Sequence, residues 1–491
     1  MLEISGMKSS AVDLYHFING KWLPVEQSDV AECGSGGAET LSERDREIAD
    51  RAVQAARAAF DNGWNRAGLA VRLETLTRLI GEIDKRREEF AQLISAEIGA
   101  PIDFARKNQV DTALNHLAAI LAAAKDNHFD IPVSPEQPEH RIRYEPMGVA
   151  VLITPWNWPL NQIALKVGAA LIAGCTMILK PSELAPLTGL LFAECLETAG
   201  VPPGVFNLVS GNGSSGAQLC ASKNVNIISL TGSTRSGRAV ALSAAANFTR
   251  VALELGGKSP NLLFADCDLE IAVKQGVAHC FRNAGQSCNA ASRMLVEDCV
   301  YDHAVTLAAR EAENTTVGYP NQPGSHIGPL VSETQFDRVQ NYIRQALDEG
   351  ATLVAGGLGR PDGFDEGFFV KPTVFADVTP EMSIAQEEVF GPVLTVSRFK
   401  DEGDALTQAN HSDYGLAAYV QTTDMNRADR LACRLQAGMI QVNGTSRAQG
   451  APFGGTKASG IGREAGIWGI RTFQEIKSIS GTPFASISVR L

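Results

Sequence analysis

Residues 227–237 read IISLTGSTRSG and join an apolar strand, a glycine turn and the start of a helix. Ile227–Leu230 supplies the strand, and Thr231–Gly237 opens the helix. The backbone amides at such a helix N-terminus, together with the Ser233 hydroxyl, are suited to bind a pyrophosphate. The stretch therefore predicts an α/β fold whose parallel sheet binds a nucleotide where its strands end.

Strands and helices alternate on both sides of this stretch, from residue 146 to 265. A helix over Leu187–Ala199, ended by Gly200, connects two of the strands. This rhythm predicts a doubly wound parallel sheet, and a second alternation from about 268 to 440 predicts a second α/β domain. The strand candidates of the first run are Val149–Ile153, Met177–Leu179, Val205–Val209, Ile227–Leu230, Val251–Leu253 and Leu262–Phe264.

The ends of the chain carry further elements. Phe17–Trp22 predicts a hairpin around an Asn-Gly turn. Apolar residues spaced by three, four or seven positions predict a helical run from Leu69 to Ile94, which Gly99 and Pro101 stop. Residues 28–42 are polar, rich in glycine and without periodicity. Residues 129–145 and 478–490 contain alternating segments, which predict strands at an edge that pairs with another subunit.

Two turns are candidates for holding the nucleotide sugar and phosphates. Gly211–Gly216 matches G-x-G-x-x-G after a strand, but no Asp or Glu occurs between Gly216 and Glu254. The usual dinucleotide fingerprint therefore fails in detail, and a tight turn with a helix cap explains these glycines nearly as well. Lys180–Glu183 follows the strand Met177–Leu179, and its lysine and glutamate are placed to hold a ribose diol.

Composition excludes several classes of protein. The 491 residues carry a net charge of −12 with no basic stripe, which argues against a nucleic-acid partner. Nine cysteines without a Cys-x-x-Cys pair predict neither a disulfide framework nor a metal site, and favour a reducing cytoplasm. The amino terminus has no signal-peptide pattern, and Val167–Leu179 is too short an apolar stretch to span a membrane.

The residues of greatest chemical interest are Cys288, in Gly-Gln-Ser-Cys, and Glu254, in Glu-Leu-Gly-Gly-Lys, 34 residues earlier. A thiolate attacks a carbonyl carbon, and a carboxylate activates water. Few reactions need both groups together, and one of them is oxidation of an aldehyde to an acid through a thioester. None of the eight histidines has a convincing partner in the sequence.

Seven motifs in order resemble the NAD(P)-dependent aldehyde dehydrogenase superfamily, over Phe17 to about Ser478. The resemblance implies a Rossmann-type NAD-binding domain (1–126 and 146–256), an α/β catalytic domain (257–471) and a β oligomerisation arm (127–145 and 472–491). It also implies a homodimer or a dimer of dimers. The motifs are Pro155–Pro159, Lys180–Glu183, Gly232–Thr234, Glu254–Lys258, Gly285–Cys288, Glu387–Pro392 and Pro452–Gly455.

The resemblance also implies roles for single residues. Cys288 is expected to be the nucleophile, Glu254 the general base and Asn157 an oxyanion donor, with Lys166 and Glu464 as a proton relay. The expected cofactor ligands are Ile153, Thr154, Trp156, Lys180, Ser182, Glu183, Gly213, Gly216, Gly232, Ser233, Leu255, Glu388 and Phe390. The expected substrate pocket consists of Trp158, Ser287, Asn289, Arg447 and Phe453.

The chain departs from the family pattern near residue 30, where the usual Asn-Pro-x-x-Gly-Glu turn is absent, which puts the first strand pair in question. Asn289 and Arg447 suggest a polar or carboxylated substrate, whereas Trp158 suggests an apolar wall. The sequence therefore does not identify the aldehyde substrate. Glu183 would repel a 2′-phosphate, which favours NAD, although Lys180 would tolerate NADP.

Three other functions are compatible with parts of this pattern. A CoA-acylating enzyme would typically lack the glutamate at position 254. An oxidiser of phosphorylated aldehydes needs a basic cluster at the pocket mouth, for which only Arg447 is a candidate in the sequence. A non-enzymatic protein that kept the fold would have no need of an intact Cys288, Glu254 and Asn157.

Overall fold

The structure is a computed structural model that describes residues 14–25, 43–125, 129–137 and 139–481. The strands are β1 (Tyr15–Ile18), β2 (Lys21–Pro24), β3 (Asp130–Pro132), β4 (His140–Pro146), β5 (Val149–Thr154), β6 (Thr176–Pro181), β7 (Phe206–Leu208), β8 (Ile227–Thr231), β9 (Arg250–Glu254), β10 (Pro260–Leu263), β11 (Arg293–Glu297), β12 (Thr352–Ala355), β13 (Thr373–Ala376), β14 (Val393–Phe399), β15 (Tyr414–Gly415), β16 (Ala417–Gln421), β17 (Met439–Val442), β18 (Thr456–Lys457), β19 (Gly460–Ile461) and β20 (Gln474–Ser480).

The helices are α1 (Glu43–Asp61), α2 (Leu69–Lys85), α3 (Arg87–Ile98), α4 (Ile102–Phe104), α5 (Asp111–Lys125), α6 (Pro159–Ala173), α7 (Pro186–Thr198), α8 (Gly213–Ala221), α9 (Thr234–Ala245), α10 (Leu269–Phe281), α11 (Tyr301–Glu313), α12 (Glu333–Asp348), α13 (Ser383–Gln386), α14 (Glu402–Asn410), α15 (Met425–Arg434) and α16 (Gly466–Thr472). Residues 105–110 form a π-helical turn between α4 and α5. None of the helices in the described ranges combines the length and apolar character needed to cross a bilayer.

The first sheet has the strand order β19-β9-β8-β5-β6-β7-β1-β2. Its five central strands, β9 to β7 in this order, run parallel to one another. β6 and β8 are buried along their whole length, as expected for strands covered by helices on both faces. The predicted doubly wound parallel sheet is confirmed.

The second sheet has the order β12-β13-β14-β11-β10-β16-β17, and only β12 runs antiparallel to its neighbour. The predicted second α/β unit is therefore present. The strand candidate Leu262–Phe264, which continued the first alternation in sequence, corresponds to β10 and lies in the middle of this second sheet. The loop after β9 thus carries the chain from one sheet to the other.

The third sheet is antiparallel, with the order β20-β4-β3. Its register runs from Gln474 opposite Pro146 to Ser480 opposite His140. Described parts of both predicted arm segments, 127–145 and 472–491, therefore pair with each other. The pairing with a second subunit and the domain boundaries stay predictions.

Two local predictions concern the amino-terminal part. β1 and β2 form the predicted hairpin, and its turn residues Asn19 and Gly20 both have positive φ, as a type I′ turn requires. The predicted helical run from Leu69 to Ile94 is wrong in one respect, because Arg86 has a non-helical φ of −106° and separates α2 from α3. Gly99 ends α3 in the left-handed conformation. Residues 28–42 lie outside the described residues.

Candidate active site

Cys288 follows an unusual turn at the end of α10. Asn283, Ala284 and Gly285 all have positive φ, a backbone conformation that residues other than glycine rarely adopt. A Cβ on Gly285 would overlap the carbonyl of Gly391, so only glycine fits there. Backbone of this kind persists only where surrounding contacts hold it, and it is frequent at active sites. The turn holds Cys288 partly buried, and Cys288 packs against the same hydrophobic cluster as Phe453.

Asn157 lies against this turn, at the start of α6. Its side-chain Nδ2 donates to the carbonyl of Gln286 at 3.0 Å. Its own carbonyl accepts from Asn283 Nδ2 at 2.9 Å and from Gln109 Nε2 at 3.0 Å. These contacts fix the Asn157 amide against Gln286, which lies two residues before the nucleophile in sequence. An amide nitrogen carries a second N–H, which is the donor that an oxyanion would need.

Glu254 ends β9 and is almost completely buried. A Cβ on Gly454 would overlap its Oε1, and its Oε2 has no hydrogen-bond partner within the described residues. Burial and the negative charge of Glu464 raise the pKa of Glu254 well above its ordinary value. A carboxylate in such surroundings binds a proton more readily than one in water, which suits a general base.

Lys166 and Glu464 form a buried ion pair beside Glu254. Lys166 Nζ donates to Glu464 Oε1 at 2.5 Å and to Ser229 Oγ at 2.9 Å. The lysine side chain is fully buried and that of Glu464 is 7% exposed. Backbone pairing of Glu464 with Phe453 places this glutamate behind the pocket wall. The structure thus brings together Lys166, Glu464 and Glu254, which are far apart in sequence.

The Cys288 thiol has a pKa raised above its ordinary value, first by burial and then by the charges of Glu388 and Glu254. Partial burial also raises the pKa of Glu388 to about 7, although the Gly257 N–H donates to its Oε1 at 3.0 Å. Both carboxylates therefore act on the sulfur electrostatically. In the protein alone the thiol form predominates at neutral pH, and a proton acceptor or positive charge must favour the thiolate.

The predicted nucleotide ligands meet at the carboxyl edge of the first sheet. Lys180 Nζ donates to Glu183 Oε2 at 3.2 Å, and Ser182 and Glu183 line a cavity of about 470 Å³ together with Trp156. The Trp156 ring stands edge-on to Phe390, with centroids 5.5 Å apart. Phe390 neighbours Glu388, so this contact joins the first sheet to the loop before β14.

The two glycine turns differ in how their helices begin. Ser233 is exposed and caps α9, accepting from the Ser236 N–H at 3.1 Å. At α8, Asn212 caps Gly213–Ala221, and the hydroxyls of Ser214 and Ser215 donate to Asp45. The Asp45 carboxylate therefore lies at the N-terminus of α8. These contacts favour the helix-cap explanation of the Gly211–Gly216 loop and leave α9 as the better phosphate site.

The remaining predicted ligands line the same edge. A Cβ on Gly216 would lie 3.9 Å from Ile153 and 4.0 Å from Lys180, in ordinary van der Waals contact, so the start of α8 lies close to both residues. Thr154 Oγ1 is buried and has no partner within the described residues. Gly232 donates to the Glu254 carbonyl, and Leu255 packs against Gly237 of α9.

A pocket of about 750 Å³ opens in front of Cys288. All five predicted substrate residues (Trp158, Ser287, Asn289, Arg447 and Phe453) line it. Trp158 Nε1 donates to Ser287 Oγ at 3.0 Å. The structure adds polar residues that the sequence did not indicate, among them His116, Gln162, His279, Arg282 and Tyr419.

The expectation that no histidine has a convincing partner is wrong for two of these residues. His116 Nδ1 is 2.6 Å from Asn161 Oδ1, and its Nε2 is 3.2 Å from Arg447 Nη2. His279 accepts from the Ala291 N–H at 3.2 Å and stacks near Tyr419. These partners lie up to 331 residues away in sequence, so no local sequence pattern predicts them.

The chain matches the aldehyde dehydrogenase family over residues 36–479, nearly its whole length. It belongs to this family. It is 45% identical over 471 residues to 3-succinoylsemialdehyde-pyridine dehydrogenase of a Pseudomonas species, covering 95% of this chain and 98% of that one. This aldehyde dehydrogenase is thus an oxidoreductase that acts on aldehydes.

Solved structures agree with the assignment. An aldehyde dehydrogenase from Bartonella henselae has a TM-score of 0.90 and 43% identity, covering 96% of this chain and 99% of its own. A mutant aldehyde dehydrogenase C from Pseudomonas syringae, in complex with NAD+ and octanal, has a TM-score of 0.89 and 41% identity. The match covers 98% of this chain and 100% of that one. The predicted family and fold class are confirmed.

Proposed function

We propose that this aldehyde dehydrogenase oxidises its substrate with NAD through a covalent thioester on Cys288, which water then hydrolyses. The observation that carries the proposal is the setting of one cysteine between a fixed amide, that of Asn157, and the buried carboxylate of Glu254, whose charge reaches the sulfur. The pocket in front of this cysteine is open to a small molecule.

The residues at the carboxyl edge of the first sheet fit a dinucleotide. Lys180 and Glu183 present a cation and an acceptor to a ribose diol, and the exposed N-terminus of α9 suits a pyrophosphate. The buried hydroxyl of Thr154, which has no partner within the described residues, fits a group that lies against the sheet. Bound there, NAD would supply the acceptor for the hydride that leaves the substrate carbon.

In the first half of the reaction the Cys288 thiol loses its proton and the sulfur bonds to the aldehyde carbon. The carbonyl oxygen becomes negatively charged, and the Asn157 amide and the Cys288 backbone N–H are the donors placed to stabilise it. One such donor contributes about 3–4 kcal/mol in other enzymes. Loss of hydride from the same carbon then leaves a thioester on Cys288.

In the second half Glu254 removes a proton from water, and the resulting hydroxide attacks the thioester carbon. The C–S bond breaks, the acid leaves, and the sulfur regains a proton. Lys166 and Glu464, which lie beside Glu254, provide a path for the proton that Glu254 has taken up. The raised pKa of Glu254 means that hydrolysis is lost as pH falls through that value, because the protonated acid cannot act as a base.

The experiment that tests this function is an assay of NADH formation with a panel of aldehydes, with and without CoA. Turnover with water alone is expected. Turnover that required CoA would instead support the acylating alternative. The names of two relatives point to different aldehydes, a pyridyl semialdehyde and octanal, so they leave the substrate of this chain open.

Replacing Lys166 by alanine is expected to destabilise the fold by about 3–5 kcal/mol, because it leaves Glu464 charged and buried without its partner. Urea unfolding of the variant and of the wild-type protein measures the difference. Arg430→Ala, which breaks the exposed pair with Glu402, is the control and should change stability by less than about 1 kcal/mol. Equal effects of the two substitutions would contradict a structural role for the buried pair.

Replacing Glu183 by glutamine is expected to raise the NADP-to-NAD ratio of kcat/KM about fivefold, because it removes a negative charge from the proposed ribose site. The effect is modest because the side chain is 46% exposed and water screens it. Glu194→Gln, a surface change outside the proposed site, should leave the ratio unchanged. An unchanged ratio in Glu183→Gln would show that this glutamate does not select the cofactor.

We also propose that the chain forms a homo-oligomer, either a dimer or a dimer of dimers, through its third sheet. β20 is largely exposed in the single chain, and Ile476 on it is 67% exposed. Exposed apolar side chains on an edge strand are typical of strands that pair with another subunit. A cytoplasmic location remains a prediction from cysteine usage.

A further inference from the structure

Two arginines in the substrate pocket have no acidic partner within the described residues. Arg282 and Arg447 both line the pocket in front of Cys288. Arg447 donates to the carbonyl of Ala451 and contacts His116, and among the described residues Arg282 contacts the rings of Phe104 and Trp158 without a hydrogen bond. Many surface arginines, such as Arg430 with Glu402, are by contrast paired with carboxylates. A cation that faces a cavity without a counter-charge attracts an anion to it.

The arginines occupy different aromatic walls of the pocket. The Arg282 guanidinium carbon lies 5.5 Å from the Trp158 ring centre and 5.6 Å from that of Phe104. The Arg447 guanidinium carbon lies 5.3 Å from the ring centre of Phe453. Stacking on a ring leaves the edge of a guanidinium, which carries its N–H groups, free to bind a ligand.

His116 fixes Arg447 without adding a second charge. A guanidinium only donates, so His116 Nε2 accepts from Arg447 and its Nδ1–H donates to Asn161 Oδ1. This arrangement requires the neutral ring. Burial and the positive charge of Arg447 agree with it, since both act to lower the pKa of His116. Arg447 therefore stays in one orientation and retains its full charge.

The rest of the lining is neutral. No Asp or Glu is among the described residues that line this pocket. Asn161, Gln162, Gln275 and Gln441 add amides, and Tyr419 adds a hydroxyl whose hydrogen is already donated to the Asn289 carbonyl at 2.8 Å. The charge of the pocket is therefore positive, although the chain as a whole carries a net charge of −12.

The aromatic walls relate the arginines to the nucleophile. Trp158 donates a hydrogen bond to Ser287, the neighbour of Cys288, and Phe453 packs against the same hydrophobic cluster as Cys288. Arg282 therefore lies one aromatic ring away from Ser287, the neighbour of the nucleophile, and the ring under Arg447 packs against the same cluster as Cys288. A substrate whose aldehyde reaches Cys288 would present its other end to this pair of cations.

We propose that the pocket selects aldehydes that carry a carboxylate at the end opposite the aldehyde, so that the product is a dicarboxylate. The proposal rests on the function proposed above and adds the substrate class. Guanidinium and carboxylate match in shape and form paired hydrogen bonds. The reaction at the aldehyde is unchanged: the aldehyde, NAD+ and water give the carboxylate, NADH and two protons.

The test compares, on the full-length protein, aldehydes that carry a terminal carboxylate with neutral aldehydes of the same chain or ring type. Glutaric semialdehyde is paired with pentanal, and 4-carboxybenzaldehyde with benzaldehyde, with pyridine-3-carbaldehyde and glyceraldehyde 3-phosphate as further arms. Each carboxylated aldehyde is expected to have at least about tenfold higher kcat/KM than its neutral partner, since charged hydrogen bonds are worth about that factor or more. Added salt should reduce this preference.

Arg282→Gln and Arg447→Gln are each expected to lower the carboxylate preference about tenfold. Arg430→Gln is the matched control and should leave it unchanged. Arg282→Gln carries the test if Arg447→Gln does not fold, because Arg282 forms no hydrogen bond within the described residues.

The proposal is overturned if a neutral or phosphorylated aldehyde is oxidised as well as the carboxylated ones. It is also overturned if neither arginine variant changes the preference. Failure to oxidise any aldehyde with NAD would instead contradict the proposed function itself, so the two results are distinguishable.

Discussion

Cys288→Ala should lower kcat for aldehyde oxidation by at least about 10⁴-fold, in line with the loss on removing a covalent nucleophile in other enzymes. Alanine removes the sulfur and leaves a side chain that fits the same partly buried position. The fold and the proposed cofactor site should be retained. Steady-state NADH formation measures the loss, and the thermal midpoint shows that the variant is folded.

The control is Cys433→Ala, which removes an exposed cysteine of α15 that lies outside the pocket. Its activity should match that of the wild-type protein. Residual activity of Cys288→Ala within tenfold of wild type would mean that another group attacks the aldehyde or that no covalent step occurs. The assignment of the nucleophile would then be wrong.

Glu254→Gln should separate the two halves of the reaction. Glutamine has nearly the same shape but cannot remove a proton from water, so the thioester should form and then persist. Loss of a general base lowers the rate by about 10²–10⁴-fold. Stopped-flow absorbance should therefore show a burst of about one NADH per subunit, followed by very slow turnover.

The pH dependence of this variant gives a second measurement. In the wild-type protein the pKa of Glu254 is raised by burial and by Glu464, so hydrolysis should weaken as pH falls through that value. The slow turnover of Glu254→Gln should lack this dependence. Glu270→Gln, an exposed change on α10, is the control and should show neither burst nor loss. A dead variant without a burst would place Glu254 before hydride loss instead.

The sequence predicted the two parallel sheets because their strands are short, buried and apolar, and because helices separate most of the parallel neighbours. The alternation of strands and helices grouped Leu262–Phe264 with the first sheet, because alternation along the chain does not show which sheet a strand joins. The alternation of strands and helices does not show that the chain passes from one sheet to the other after Glu254; only the family resemblance, with its domain boundary between residues 256 and 257, implied this. Likewise, the break at Arg86 between α2 and α3 leaves the apolar spacing almost unchanged, so periodicity alone could not reveal it.

The candidate site could be predicted where a residue lies within a recognisable motif. Cys288, Glu254 and Asn157 are of this kind, and the structure brings them together. Arg282 and His116 were missed because their role depends on contacts distant in sequence, such as the one between His116 and Arg447. One signal was available for Arg282, which lies six residues before the nucleophile at the start of the turn that presents it.

The central claim is that the substrate carbon becomes bonded to the sulfur of Cys288, and the mass of the trapped protein tests it most directly. Glu254→Gln is mixed with NAD and an aldehyde, quenched in acid and analysed intact and after proteolysis. We expect a gain equal to the mass of the aldehyde less two hydrogens, located on the peptide that contains Cys288. An unmodified cysteine after the NADH burst, or a gain on another residue, would contradict the account.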